Sequence, residues 1–138
     1  MSTEYTPDNI TSLAPNEIFV FGSNEAGRHG LGAARLAFRR FGAIMGQGDG
    51  KMGQCYGIST KDDQFKTLPL HRIAPKILKF LRYAEAHPEL KFLVTQIGCG
   101  LAGYKPKQIA PLFFSVSIPD NVVLPKQFWE TLKPEEKH

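Results

Sequence analysis

Two kinds of apolar pattern alternate along this chain. Short continuous apolar runs, bounded by glycine or polar residues, predict buried strands over 17–22, 55–59, 92–97 and 122–124. Between them apolar residues recur at helical spacing. Leu31, Ala34, Ala37, Phe38 and Phe41 predict a helix over 31–41, with these residues as its inner face. Ile73, Ile77, Phe80, Leu81 and Ala84 predict the longest helix, 69–86, which His87-Pro88 stops. A third helix is predicted over 105–114 and a closing turn of helix over 128–132, with Phe128 and Trp129 sealing the core edge. Residues 1–16 are polar, carry Pro7 and Pro15, and read as an N-terminal arm. Residues 133–138 read as a charged tail, which leaves one folded domain over 17–132. Strands alternating with helices predict an α/β fold, with a largely parallel sheet covered by helices on both faces.

In such folds ligands bind at the carboxyl ends of the strands, which selects three loops. The loop after the third long strand is the most informative. Gly98, Gly100 and Gly103 fall within six residues, and a helix follows at once. Such a loop exposes backbone N–H groups, and the helix end adds partial positive charge. A phosphate or diphosphate ligand is the expectation. The loop after the first strand holds Gly22, Gly27, Gly30 and Gly32, which let a ligand approach the backbone. In it Asn24 offers a donor and an acceptor together, suited to a ribose hydroxyl or to an ordinary turn. Tyr104 is placed to stack on a sugar or base, or to pack. Gly48 to Gly53 matches the dinucleotide-binding glycine spacing, but it precedes a strand instead of following one. A flexible turn is expected there. No lysine follows a glycine loop as a P-loop requires.

The charge is +4, with a hydrophobic fraction of 42% and no apolar run near the ~20 residues of a membrane helix. The N-terminus lacks the apolar region of a signal peptide. Cys55 and Cys99 make neither a disulfide framework nor a metal spacing, and Cys99 is expected to pack at a strand end. The four histidines show no zinc pattern. His87 reads as a residue at a helix C-terminus, interacting with the dipole. No metal, no cofactor, no membrane partner and a cytoplasmic setting are expected. Asn9-Ile10-Thr11 fits a glycosylation sequon that is idle in that setting. Arg28, Arg35, Arg39 and Arg40 surround one helix, and Lys76, Lys79 and Arg82 dot another. They read first as solvated helix faces, so nucleic acid is the less favoured partner.

These segments carry a resemblance. The strand, glycine loop and helix over 92–114 resemble the second signature of the macrodomain family, which binds ADP-ribose, and residues 20–43 resemble its first. Ile97-Gly98-Cys99-Gly100-Leu101 matches, residue for residue, the loop of the group containing the terminal ADP-ribose protein glycohydrolase. Ser59-Thr60-Lys61 is similar to that group's Ile-Thr-Lys strand end. Gly30-Leu31-Gly32 through Phe41-Gly42 is similar to its Gly-Ala-Gly helix start.

The resemblance covers about residues 17–125 and implies a macrodomain-like three-layer sandwich with a mixed, mostly parallel sheet flanked by helices. It implies that Gly98, Cys99, Gly100, Leu101, Ala102, Gly103 and Tyr104 wrap a diphosphate and its distal ribose. Ser23 and Asn24 would lie near that ribose, Gly30, Leu31 and Gly32 would press on the diphosphate from the other side, and Gly22 and His29 complete the ligand-binding set. Lys61 matches a lysine that attacks the distal ribose carbon and forms a covalent intermediate, chemistry that suits an amine in a dry pocket. Asn24 is the second catalytic candidate.

Two departures qualify the match. Ala102 stands where the group carries a carboxylate, leaving Asp62, Asp63, Glu25 and His29 as acid–base candidates by proximity in sequence. The opening strands of a macrodomain, and the acidic residue that holds its adenine, have no clear counterpart. The expected function is binding of ADP-ribose or a related nucleotide diphosphate, with hydrolysis of an ADP-ribosyl linkage through Lys61. The alternatives are a non-catalytic nucleotide-binding module and a nucleic-acid-binding accessory protein.

Overall fold

The computed structural model describes residues 4–132. Its elements run β1 (Glu17–Asn24), α1 (Gly32–Arg40), β2 (Gly50–Met52), β3 (Cys55–Lys61), α2 (Leu70–Ala86), β4 (Lys91–Val94), α3 (Pro106–Phe114), β5 (Val122–Val123) and α4 (Lys126–Glu130). The five strands form one mixed sheet in the order β2-β3-β1-β4-β5. All neighbours are parallel except the β2–β3 pair. The α/β expectation is met in that form.

Strand alternation divides the core in two. In β1, Ile18 and Val20 join a cluster with Ile73, Ile77, Phe80, Ile109 and Phe113. Phe19 and Phe21 point to the other face and pack with Ala34, Ala37 and Phe41. Helices therefore cover both faces of the sheet, with α2, α3 and α4 on one and α1 on the other. The expected inner face of α2 is buried at every position: Ile73, Ile77, Phe80, Leu81 and Ala84.

The C-terminus of α2 is tied down by a residue far along the chain. Asn121 Nδ2 lies 2.9, 3.0 and 3.0 Å from the carbonyls of Ala84, His87 and Leu90. His87 is the C-cap, and its Nδ1 lies 2.8 Å from the Tyr83 carbonyl. Substituting Asn121→Ala leaves three carbonyls without this donor. The expected loss is about 1–3 kcal/mol of unfolding free energy, checked by urea denaturation.

Four expectations are corrected. Leu31 and Phe38 do not belong to the inner face of α1; they are 66% and 42% exposed. The helix lies close on Phe19 and Phe21 through two alanines, with the Phe41 ring 5.1 Å from that of Phe19. A narrow buried arc leaves both larger side chains on its flank. Second, the glycine-rich segment before β3 is a packed hairpin arm. It contains β2, and Gly48 is buried between Asn24 and Gly57. A Cβ on Gly48 would collide with the Asn24 carbonyl oxygen, and one on Gly57 with the Gly48 carbonyl oxygen. The glycine spacing that imitates a dinucleotide motif serves backbone-on-backbone packing.

Third, residues 4–16 are docked on the domain. Tyr5 bridges to Leu124, the Thr6 N–H and Oγ1 donate to the Leu124 and Val123 carbonyls at 3.0 Å each, and Ile10 enters the α1-side core. This segment covers the outer edge of β5. The charged tail, 133–138, lies outside the described residues. Fourth, strand ends shift. β1 reaches Asn24 and β3 reaches Lys61, whereas β4 stops at Val94. There the Thr95 N–H and Oγ1 both turn onto the Val20 carbonyl, at 3.1 and 2.8 Å, and the chain leaves the sheet.

Phe128 is buried, and Trp129 is half-buried with its ring 5.0 Å from that of Phe114. Among the described residues no helix is long and apolar enough to cross a membrane.

Candidate functional site

The chain leaves β1 for β3 on one side, and α2 then carries it across to β4 on the other. Loops at the carboxyl ends of β1 and β4 therefore diverge and leave a crevice. A cavity of about 470 Å³ lies there. This is within the ~300–1,000 Å³ range of small-molecule sites. Three strand ends supply its walls: Gly22, Ser23 and Asn24 from β1, Thr60 and Lys61 from β3, and Thr95 to Gly98 beyond β4.

The cavity brings together most of the residues singled out from the sequence. Gly22, Ser23, Asn24, Gly30, Leu31, Gly32, Lys61, Gly98, Gly100, Leu101 and Ala102 line it. His29, Cys99, Gly103 and Tyr104 do not. His29 is buried edge-on against Phe21, and its Nε2 lies 2.9 Å from the carbonyls of both Ile44 and Gln47. Two acceptors make Nε2 the donor, and the ring ties two loops together. Cys99 is half-buried against the core, and burial pushes its thiol up to about 11. The Tyr104 hydroxyl donates to the Leu68 carbonyl at 2.6 Å, so this ring packs. Gly103 turns the chain at φ +88°, its N–H donating to the Gly100 carbonyl.

Asn24 is occupied by its own loop. Its Oδ1 accepts the Arg28 N–H at 2.9 Å, and its Nδ2 donates to the Arg28 carbonyl at 2.8 Å. The Ser23 hydroxyl donates to the Gly48 carbonyl. Both side chains shape the wall from which Arg28 projects.

The electrostatics have one sign. Among the described residues Arg28 and Lys61 are the charged residues of the lining, and no Asp or Glu lines it. Among the described residues neither cation has a carboxylate within 4 Å. The Arg28 guanidinium sits 5.7 Å from the centre of the Phe65 ring. Among the described residues the N–H groups of Gly98, Gly100, Leu101 and Ala102 find no acceptor. At the start of α1, Leu31 gives no side-chain cap, and the first turn has no acidic residue. Backbone donors in this state call for water or an anion.

None of the four acid–base candidates reaches the cavity wall. Asp62 Oδ1 accepts the N–H groups of Lys66 and Gln64, at 2.9 and 2.8 Å. These bonds, that from Lys66 foremost, hold the Asp62 carboxyl below its ordinary value. The turn so formed sets Phe65 at φ +63°, in the left-handed region, and brings its ring into the cavity wall. Glu25 pairs with Arg72 and Lys76 at 3.6 and 3.4 Å. Asp63 is exposed, and His29 is locked as described. Sequence reasoning passed over Arg28, Phe65, Thr60 and Gln96 as wall residues. The one available signal was an aromatic residue, Phe65, in the loop after a strand that ends in lysine.

Among the described residues no group of three His, Cys, Asp or Glu side chains is placed to hold a metal. No family model, curated protein or solved structure matches the chain.

Proposed function

We propose that the cavity binds ADP-ribose or a related nucleotide diphosphate, and that Lys61 cleaves an ADP-ribosyl linkage there. The observation that carries this reading is the single-signed lining: two cations and a glycine loop of amides, unpaired among the described residues, at the point where strand order reverses. The resemblance to the macrodomain signatures supports it. In the step proposed, Lys61 Nζ bonds to the anomeric carbon of the distal ribose. The acceptor leaves with the bonding electron pair, and the nitrogen sheds a proton to solvent. Water then cleaves the adduct and restores the lysine. Among the described residues no carboxylic acid lines the cavity to protonate the departing group. A leaving group stable as an anion, such as a carboxylate, fits best. The same gap favours a non-catalytic binding module as the second reading. The cytoplasm suits both, since it keeps the free thiols of Cys55 and Cys99 reduced.

Calorimetry with ADP-ribose, against ADP, AMP and NAD, tests the binding. Gly100 has open space where a side chain would stand, so Gly100→Trp should fold normally and fill the cavity. Affinity should then drop by about a hundredfold or more, ~2.7 kcal/mol. An unchanged affinity, or a wild-type protein indifferent to all four nucleotides, would sink the reading. Turnover of an ester-linked ADP-ribosyl peptide separates enzyme from binding module.

A further inference from the structure

We propose that one flank of α1 docks single-stranded nucleic acid and leads it to the cavity. The proposal rests on the nucleotide reading of that cavity. Leu31, Arg35, Phe38 and Arg39 follow the i, i+4, i+7, i+8 spacing of a single helical flank, and all are exposed. Leu31 belongs to the cavity rim, so the flank begins at the site and runs ~12 Å away from it at 1.5 Å per residue. Arg28, in the loop before α1, lines the cavity wall and adds a third cation on the path to the site.

The composition of this flank does not match that of a merely solvated helix. α1 contains no acidic residue, and among the described residues none of its arginines has an ion-pair partner. Arg39 near the C-terminus suits the helix dipole, but Arg35 near the N-terminus opposes it. Phe38, 42% exposed, stands between them, outside the buried face that Ala34, Ala37 and Phe41 present to the sheet. Positive charges interleaved with an exposed aromatic complement a chain of phosphates carrying stackable bases. A base free to lie on Phe38 must be unstacked from its neighbours, which selects a single strand over a duplex. A strand anchored here presents its terminal nucleotide group to Arg28 and Lys61.

The test is fluorescence anisotropy of a labelled oligothymidylate with the full chain at several salt concentrations, beside calorimetry of free ADP-ribose on the same proteins. Three arginine–phosphate contacts predict a log–log salt slope of about −2, falling to about −0.7 in the Arg35→Ala/Arg39→Ala variant. That variant and Phe38→Ala should each weaken oligonucleotide binding about tenfold and leave ADP-ribose affinity within about twofold. These positions are exposed, so folding is not at risk. The inference is overturned if the wild type takes ADP-ribose but no oligonucleotide, if either variant binds like wild type, if the matching duplex binds more tightly, or if polyglutamate is the stronger competitor. Oligonucleotide binding that needs the flank, with no ADP-ribose binding, upholds the docking surface and removes the cavity reading alone.

Discussion

Gly48→Ala is expected to cost about 3 kcal/mol of unfolding free energy and to weaken nucleotide binding with it. The reason is the position of this glycine. Its backbone is wedged between the end of β1 and the middle of β3, and an added Cβ meets the Asn24 carbonyl. Carbonyl oxygens of a central strand cannot swing aside as a long side chain can. Relief requires either that the hairpin arm lift or that Asn24 move. Lifting the arm breaks the Ser23–Gly48 hydrogen bond, and moving Asn24 carries with it the Arg28 loop that its side chain holds. Both routes deform the cavity wall. Urea denaturation and an ADP-ribose titration read the two effects. Gly30→Ala is the control for stability alone, because nothing lies within 4 Å of its added Cβ. Full stability in Gly48→Ala would falsify the packing described.

Lys61→Ala is expected to abolish turnover while leaving ADP-ribose affinity within about tenfold, ~1.4 kcal/mol. The last residue of β3 is held by its backbone. Its carbonyl accepts the Glu25 N–H at 2.9 Å, and it bridges to Thr67. Truncating the side chain therefore leaves the wall in place and removes only the amine. Arg28 and the glycine-loop amides remain to hold the diphosphate. Lys61→Arg should recover the lost affinity but no turnover, since a guanidinium keeps the charge without being a nucleophile. Single-turnover assays with calorimetry check both variants. Turnover surviving in Lys61→Ala would assign the chemistry elsewhere. An affinity loss well beyond tenfold, with no turnover in the wild type, would make Lys61 an electrostatic anchor.

What the sequence made legible follows from the range of the interactions involved. The core face of α2 could be read because its seventeen residues bury a wide apolar stripe against the sheet. The loops at strand ends could be read because the parallel arrangement itself marks them. The inner face of α1 could be read only in part: Ala34, Ala37 and Phe41 are buried as expected, Leu31 and Phe38 are not. Which of Leu31, Ala34, Ala37 and Phe38 turn inward depends on how close the helix sits to Phe19 and Phe21, a tertiary distance. β2 was hidden because three residues with a glycine at one end carry no periodicity. For Cys99 the residue itself indicates packing and for Tyr104 it leaves packing open, and both pack against the α2-side core. The resemblance alone gives them to the ligand, because they neighbour the right glycines. Register decides which residues of a loop face inward, and the turn at Gly103 sends Tyr104 to Leu68 instead. Phe65 owes its place to the carboxylate of Asp62, a residue considered only for acid–base work.

Thr6 hydrogen-bonds to Val123, 117 positions away, and Thr95 to Val20 across 75. Closing such loops costs entropy that no local contact offsets, so neither pairing forms before the intervening chain has been made. On the ribosome the two lips of the cavity are synthesised far apart in time, and the outer edge of the sheet is sealed only after β5 emerges. Folding of this domain to the native state therefore waits until residues through β5 are available. Until that moment the unsealed strand edge is open to pairing with another chain.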